Sequence, residues 1–171
     1  NKRRAEVLRL FEEHMYGRLP DKPRRMKWEV TSEDKSALGG LATRKEVSIY
    51  FNGRKDGPKM DLLLYLPNAA KKPAPVFLGL NFRGNHAIHP DPAITLNTGW
   101  NPGNAAEGVV NHRATEAARG TMASRWAVEM ILQRGYGLAT IYCGDLEPDH
   151  AQGWKTGLRS TLASARNRRT E

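Results

Sequence analysis

Two apolar runs, and the helix-like segment between them, constrain this chain more than anything else in it. Ala74–Asn81 reads Ala-Pro-Val-Phe-Leu-Gly-Leu-Asn and Leu138–Cys143 reads Leu-Ala-Thr-Ile-Tyr-Cys. Both are short, continuous and apolar, as strands are. Between them, Met122 to about Gln133 places Met122, Trp126 and Met130 on one stripe, with Ala123, Ala127 and Ile131 beside it. Thr121 stands where a helix cap would, and Gly135 where a helix stops. Strand, helix, strand is a βαβ unit, whose strands run parallel with a right-handed crossover. The continuous run at 74–81 predicts a strand buried on both faces of an open sheet. The fold class expected is α/β.

Other segments attach to that unit. Lys45–Phe51 alternates, with Val47, Ile49 and Phe51 on one face; Asn52-Gly53 opens a polar segment, and Met60–Leu66 follows, ended by Pro67. These two runs predict a hairpin with a loop longer than the tightest type. Residues 1–16 repeat Val7, Leu8, Leu10, Phe11, Met15 and Tyr16 at three- and four-residue steps, then meet Gly17, Pro20 and Pro23. Residues 1–24 are therefore expected to be a helical arm whose apolar stripe packs on the sheet. Residues 82–120 are rich in Gly, Asn, Pro and His and lack a period. So long a loop in a compact domain is commonly functional. Residues 160–171 are basic and featureless and read as a disordered tail.

With 171 residues there is room for one ordinary domain and too little for two well-cored ones. No apolar run approaches the length of a membrane span. Cys143 is the single cysteine, so no disulfide framework forms. The net charge of +9 sits at the ends: residues 1–27 contribute +5, residues 155–171 contribute +4, and the body between them is neutral. Nucleic-acid binders cluster their basic residues on a folded face, so solvated basic ends are the expectation, with no nucleic-acid and no membrane partner. The chain opens on Asn1-Lys2-Arg3-Arg4, without an apolar leader, and its start is read as cut or processed.

In an open α/β sheet, ligands bind outside the carboxyl ends of the parallel strands. Two segments leave such ends here: Phe82-Arg83-Gly84-Asn85-His86 and Gly144–His150, the latter with Asp145 and Asp149. In acyl-transfer enzymes of this architecture the first loop gives one backbone N–H to the oxyanion hole. Gly84 would allow a close backbone approach and Arg83 would add positive charge; the plainer alternative is a turn held by its Asn side chain. A serine hydrolase also needs a Gly-x-Ser-x-Gly-like elbow between strand and helix. None of Ser32, Ser36, Ser48, Ser124, Ser160 or Ser164 has that setting. Cys143 reads as a small buried hydrophobe. His86, His89 and Asp145 leave a metal-dependent hydrolase open, although the loop gives their spacing little meaning. A non-catalytic alternative also stands: a domain binding carbohydrate or a partner through residues 82–120, with Trp100 stacking on sugars and Asn97, Asn101 and Asn104 bonding to them.

Four stretches carry a resemblance when read in order: Asp61–Pro67, Pro75–His86, Gln133–Thr140 and Gly144–Asp149, preceded by Glu12-Glu13-His14-Met15-Tyr16-Gly17-Arg18-Leu19-Pro20. From about residue 6 to residue 159 the chain resembles the N-terminal half of bacterial glucuronoyl esterases, carbohydrate esterase family 15, often described as acetyl xylan esterase-like. The resemblance implies the N-terminal portion of a single α/β-hydrolase domain, an incomplete sheet of hairpin plus parallel βαβ over residues 1–159. It implies hydrolysis of glucuronoyl or acetyl esters of xylan, with glucuronoxylan or a lignin–carbohydrate ester as substrate. It implies a Ser–His–acid triad, no metal and no other cofactor, and secretion or a periplasmic location. The family's serine elbow lies further along the chain than Glu171, so no catalytic residue carries over and the isolated chain is expected to be inactive. Only Phe82–His86 matches a segment bordering the family's active site. An incomplete sheet would also leave an open edge through which copies associate.

Overall fold

The structure is a computed structural model, and it describes residues 2–18, 25–71 and 73–162. Helix α1 (Lys2–Phe11) runs into one π-helical turn, and the strands β1 (Lys27–Ala37), β2 (Ala42–Tyr50), β3 (Lys59–Pro67) and β4 (Val76–Asn81) follow. The long segment after β4 holds short 3-10 turns and a small hairpin, β5 (Val109–Val110) with β6 (Arg113–Ala114). Helix α2 (Val128–Gln133), strand β7 (Gly137–Tyr142), the single turn α3 (Cys143–Leu146) and α4 (Leu158–Leu162) complete it. Five strands form one sheet in the order β1-β2-β3-β7-β4. Strands β4 and β7 are parallel, from Val76 opposite Gly137 to Asn81 opposite Tyr142, as the βαβ pattern requires. Strands β2 and β3 are antiparallel, Ala42 opposite Pro67 and Tyr50 opposite Lys59, so the hairpin is present as well.

Several sequence expectations change. Strand β1 was not anticipated, because only Ala37 of its eleven residues is buried and no apolar period marks it. Leu38, Gly39 and Gly40 all take positive φ in the turn that joins it to β2, and that Gly-Gly pair was the available hairpin signal. The helix expected over 122–133 is split. Ala123–Arg125 is a 3-10 turn, Ala127 precedes α2 without a side-chain cap, and the Thr121 hydroxyl donates instead to the Ala118 carbonyl. Its end is as read: the amides of Gly135 and Tyr136 donate to the carbonyls of Leu132 and Ile131, closing the helix through a left-handed glycine. The fourth strand ends at Tyr142, and Cys143 begins α3. Helix α1 buries none of its residues, so its stripe does not pack on the sheet. Of the 160–171 tail, Ser160–Leu162 closes α4 and the rest lies outside the described residues, as do 19–24 of the arm.

The sheet has one covered face and one open face. On the covered face, Leu63 and Tyr65 of β3 and Leu138 of β7 meet Ile88, Ile94, Val128 and Leu132 from the long segment and α2. The face of β2 turned to this core is polar: Ala42, Arg44, Glu46 and Ser48 are buried, while Val47 and Ile49 are half-buried on the other side. That reverses what the alternation of Val47 and Ile49 suggests. These two pair with Leu62 and Met60 of β3 and so share the second face of the sheet, which Leu62, Leu64, Leu78 and Leu80 continue. Strand β4 is the edge, and it is not buried on both faces: Leu78 is 72% exposed, with Val76, Phe77 and Leu80 also exposed. Its apolar run is that of an inner strand; its place in the described residues is at the margin.

A buried ion pair ties the long segment to the sheet. Arg44 Nη1 lies 2.9 Å from Asp91 Oδ2 and its Nη2 donates to Ser32 Oγ; the Tyr65 hydroxyl donates to the same Asp91 oxygen at 3.2 Å. Burial and the Asp91 charge raise the Tyr65 phenol far above its ordinary value, so it acts as a fixed donor. Removing one partner of a buried pair leaves an uncompensated charge, at a cost of about 3–5 kcal/mol. Asp91→Ala should therefore lower unfolding free energy by about 3 kcal/mol, read as the shift of the urea midpoint at unchanged slope.

Candidate active-site rim

Asn81, the last residue of β4, builds the bend that follows it. Its Nδ2 donates to Asn85 Oδ1 at 2.8 Å and to Thr140 Oγ1 of β7 at 3.0 Å, and its Oδ1 accepts the Gly84 amide at 2.8 Å. Asn81 and Thr140 are both buried, so these bonds form away from water. Gly84 has φ +97, and a Cβ there would lie 2.5 Å from His86 Cε1, so the backbone closes only with glycine. With its N–H committed to Asn81, Gly84 is not an open donor for an oxyanion.

The five residues of this bend part company. Phe82 is 70% exposed. Arg83 pairs through Nη2 with Glu107 Oε1 at 2.7 Å, and its carbonyl accepts from Asn101 Nδ2. Asn85 is buried and donates to the Asp61 carbonyl at 2.7 Å. His86 is fully buried: its Nδ1 accepts the Asn97 amide, its carbonyl accepts the Gly120 amide, and its Nε2 has no partner. Burial, helped by Arg119, pushes His86 down to about 4, so it is a neutral core imidazole near pH 7.

The exit of β7 supplies the second part of the rim. Asp145 Oδ2 accepts the Asp61 amide at 3.0 Å and its Oδ1 accepts Asn97 Nδ2 at 3.1 Å, so one carboxyl group joins β3, α3 and the long segment. Burial is the main cause that pushes Asp145 up to about 6. Burial, and after it the charge of exposed Asp149, raise the Cys143 thiol against two backbone hydrogen bonds that lower it, so its surroundings favour the thiol over the nucleophilic thiolate. The Trp100 ring stacks on His112 at 4.9 Å and meets His150 at 5.0 Å, and the Tyr142 hydroxyl donates to the Trp100 carbonyl.

The residues once open to sugar or metal binding have other tasks. Asn97 holds Asp145 and the Gly99 amide, Asn101 holds Arg83 and the Gly103 amide, and Asn104 caps the 3-10 turn at Ala105–Glu107. His89 bonds Glu129 through Nε2 and accepts the Asp91 amide at Nδ1. Among the described residues, no three His, Cys, Asp or Glu side chains converge to hold a metal ion, so His86, His89 and Asp145 do not form the centre that a metal-dependent hydrolase needs. Of the described serines, Ser32 and Ser36 lie in β1, Ser48 in β2, Ser124 in a 3-10 turn and Ser160 in α4; none stands at a strand-to-helix turn. Sequence reasoning passed over Asn81, Asp61 and Thr140, and it gave Asn97 a sugar-bonding task where the structure shows it holding Asp145. Asn81 alone carried a signal, an amide side chain at the end of an apolar strand.

A concavity of about 240 Å³ opens beside the bend, between Leu80, Phe82 and Arg83 on one side and Met122, Arg125 and Trp126 on the other. A five-stranded mixed sheet whose two parallel strands are joined through a crossover helix is part of the architecture of an α/β-hydrolase. No family model matches the chain. Carbohydrate esterase MZ0003, from an unknown prokaryotic organism, is 49% identical over 149 residues, 87% of this chain and 34% of that protein. The solved structure of a glucuronoyl esterase from Solibacter usitatus superposes with a TM-score of 0.85 at 49% identity, over 96% of this chain and 41% of that one. A promiscuous CE15 esterase from a marine bacterial metagenome gives a TM-score of 0.78 at 47% identity, over 88% of this chain and 37% of that one. The chain is related to the CE15 glucuronoyl esterases, and it spans about a third of the length of the curated relative it matches.

Asp145 gives a signed pH dependence. Its folded value of about 6 lies above the ordinary 3.8, so between those limits the folded state holds the proton more tightly than the unfolded one. Stability should fall as pH rises from about 4 to about 6 and level off above, by about 3 kcal/mol. Urea titrations of Asp145→Asn at several pH values should show this slope flattened.

Proposed function

We propose that this chain is part of a serine-type carboxylic ester hydrolase acting on glucuronoyl esters of xylan, and that the Phe82–His86 bend and the Asp145–Asp149 turn form one side of its active site. The observation that carries the reading is 49% identity to a glucuronoyl esterase over 96% of the chain, with a TM-score of 0.85. Residues up to about 159 form one portion of a single domain. The serine, its histidine and its acid come from sequence outside these residues, since the described serines lie in strands, a 3-10 turn and α4. Attack by such a serine on the ester carbonyl would release the alcohol and leave a glucuronoyl-enzyme, which water then hydrolyses. Removal of acetyl groups is the neighbouring chemistry, and fold alone does not separate the two. A polymeric substrate would place the enzyme outside the cytoplasm.

The open face of the sheet supports the same reading. Parallel strands are ordinarily covered on both faces, and here Val76, Leu78 and Leu80 of the parallel β4–β7 pair are exposed at an edge that is unpaired among the described residues. The rest of a whole esterase would cover them. Residues 1–171 expressed by themselves would leave β4 open to pairing between copies.

Purified chain should not hydrolyse the benzyl ester of glucuronic acid. A chimera in which this chain replaces the matching portion of the Solibacter usitatus enzyme should hydrolyse it. Turnover by the chain alone, or a folded chimera without activity, counts against the reading. In sedimentation velocity the chain should run as associated species, and Leu78→Lys should return much of it to monomer.

A further inference from the structure

Two routes of hydrogen bonds run from the bend to the exit of β7, and both end on one carboxyl group. Along the first, His86 Nδ1 accepts the Asn97 amide at 3.4 Å, and Asn97 Nδ2 donates to Asp145 Oδ1 at 3.1 Å. Along the second, Asn85 Nδ2 donates to the Asp61 carbonyl at 2.7 Å, and the Asp61 amide donates to Asp145 Oδ2 at 3.0 Å. Asn97 Oδ1 also accepts the Gly99 amide, which holds the side chain in one orientation. Each end of the Asn97 bridge is thus a group that binds or releases a proton.

These bonds dictate the protonation that the bridge needs. Asp145 accepts at both oxygens, and as a carboxylate it makes charge-assisted bonds, roughly twice as strong as neutral ones. His86 accepts at Nδ1, so its ring must be neutral with the hydrogen on Nε2. A proton added to Asp145 removes the charge from the first acceptor. A proton added to His86 has only Nδ1 to go to, and there it replaces the Asn97 bond outright.

The charges around the two groups set the order of these events. Facing Asp145 from β3 are Asp61, which favours its protonation, and Lys59, which opposes it and is shared with Asp61. Cys143 and Asp149 stand on its own turn, and Glu46 of β2 lines the same cleft, where it is engaged by Thr95. Facing His86 are Arg119, which opposes its protonation, and Glu116, which favours it and is paired with Arg119. Burial is the largest effect on both groups and disfavours each charged form. On acidification Asp145 therefore takes its proton first, at about 6, and His86 second, at about 4.

We propose that Asp145 and His86 make Asn97 a proton-operated pin between the two parts of the rim. With the carboxyl charged and the imidazole neutral the pin is set; acid releases it first at the side chain and then at the backbone amide. On either side, the Thr95 amide donates to Glu46 and the Thr98 carbonyl accepts from Arg113 Nη1 at 2.7 Å. Release therefore frees Asn97 and leaves the rest of the segment in place. The device is built from this chain's own residues and does not depend on the esterase reading.

The test is a pH titration by NMR of ¹⁵N- and ¹³C-labelled chain, carrying Leu78→Lys to limit association. The Asn97 side-chain amide should move together with the Asp145 carboxyl carbon, at a midpoint of about 6. The Asn97 backbone amide should move at a midpoint of about 4, together with the His86 ring nitrogens, whose shifts at neutral pH should place the hydrogen on Nε2. Asp145→Asn should abolish the first step and keep the second. Asn97→Ala, which keeps the backbone amide, should raise the Asp145 midpoint, since one donor to its carboxylate is gone. A neutral His86 with its hydrogen on Nδ1 overturns the proposal. So do Asn97 signals that stay unmoved until the chain unfolds, both steps at a single midpoint, a first step that survives in Asp145→Asn, or an Asp145 midpoint unchanged in Asn97→Ala.

Discussion

The polar inner face of β2 is what the rest of this structure depends on. Arg44 holds Asp91 and Glu46 holds Thr95, two points on the long segment between β4 and α2. Segments of such length lose much conformational freedom on ordering, and this one has few large apolar residues to compensate. Charge-assisted bonds made out of water supply the direction that packing alone would not. Between and beside those anchors, Ile88 and Ile94 drop into the core under Leu63 and Tyr65. The result is a loop that behaves as a wall.

Beyond the anchors, amides carry the order toward the rim. Asn81, Asn85, Asn97 and Asn101 each join two segments distant in sequence. Asparagine suits that place because it donates and accepts at once, without a charge to desolvate. Asp145 is the exception, an acid held among donors in a site that raises its proton affinity. The bend and the β7 exit are therefore one hydrogen-bonded unit, and a change at Asp61 or Asn97 would be felt at both.

The two faces of the sheet differ in what they say about the molecule. One is closed by the chain's own long segment and α2. On the other, Val47, Leu62 and Leu64 are half-buried, and Leu78 and Leu80 are exposed at an edge that is unpaired among the described residues. Exposed apolar side chains set side by side mark a surface suited to burial against other protein. That agrees with the fraction of its relatives' length that this chain spans.

The sequence by itself determined the α/β class, the β2–β3 hairpin and the parallel β4–β7 pair, because apolar runs of strand length and a helical stripe between them leave few arrangements. It also located the bend at Phe82–His86 and the turn at Asp145, since a parallel pair defines its own carboxyl ends. Which face of β2 turns inward was beyond it: alternation shows that two faces differ, and the buried one here is the charged one. Only the tertiary structure decided that His86 is a core imidazole, that the Gly84 amide is already taken, and that Asn97 and Asp145 meet across 48 residues of chain. Those facts depend on contacts between distant segments, and period and composition record only local ones.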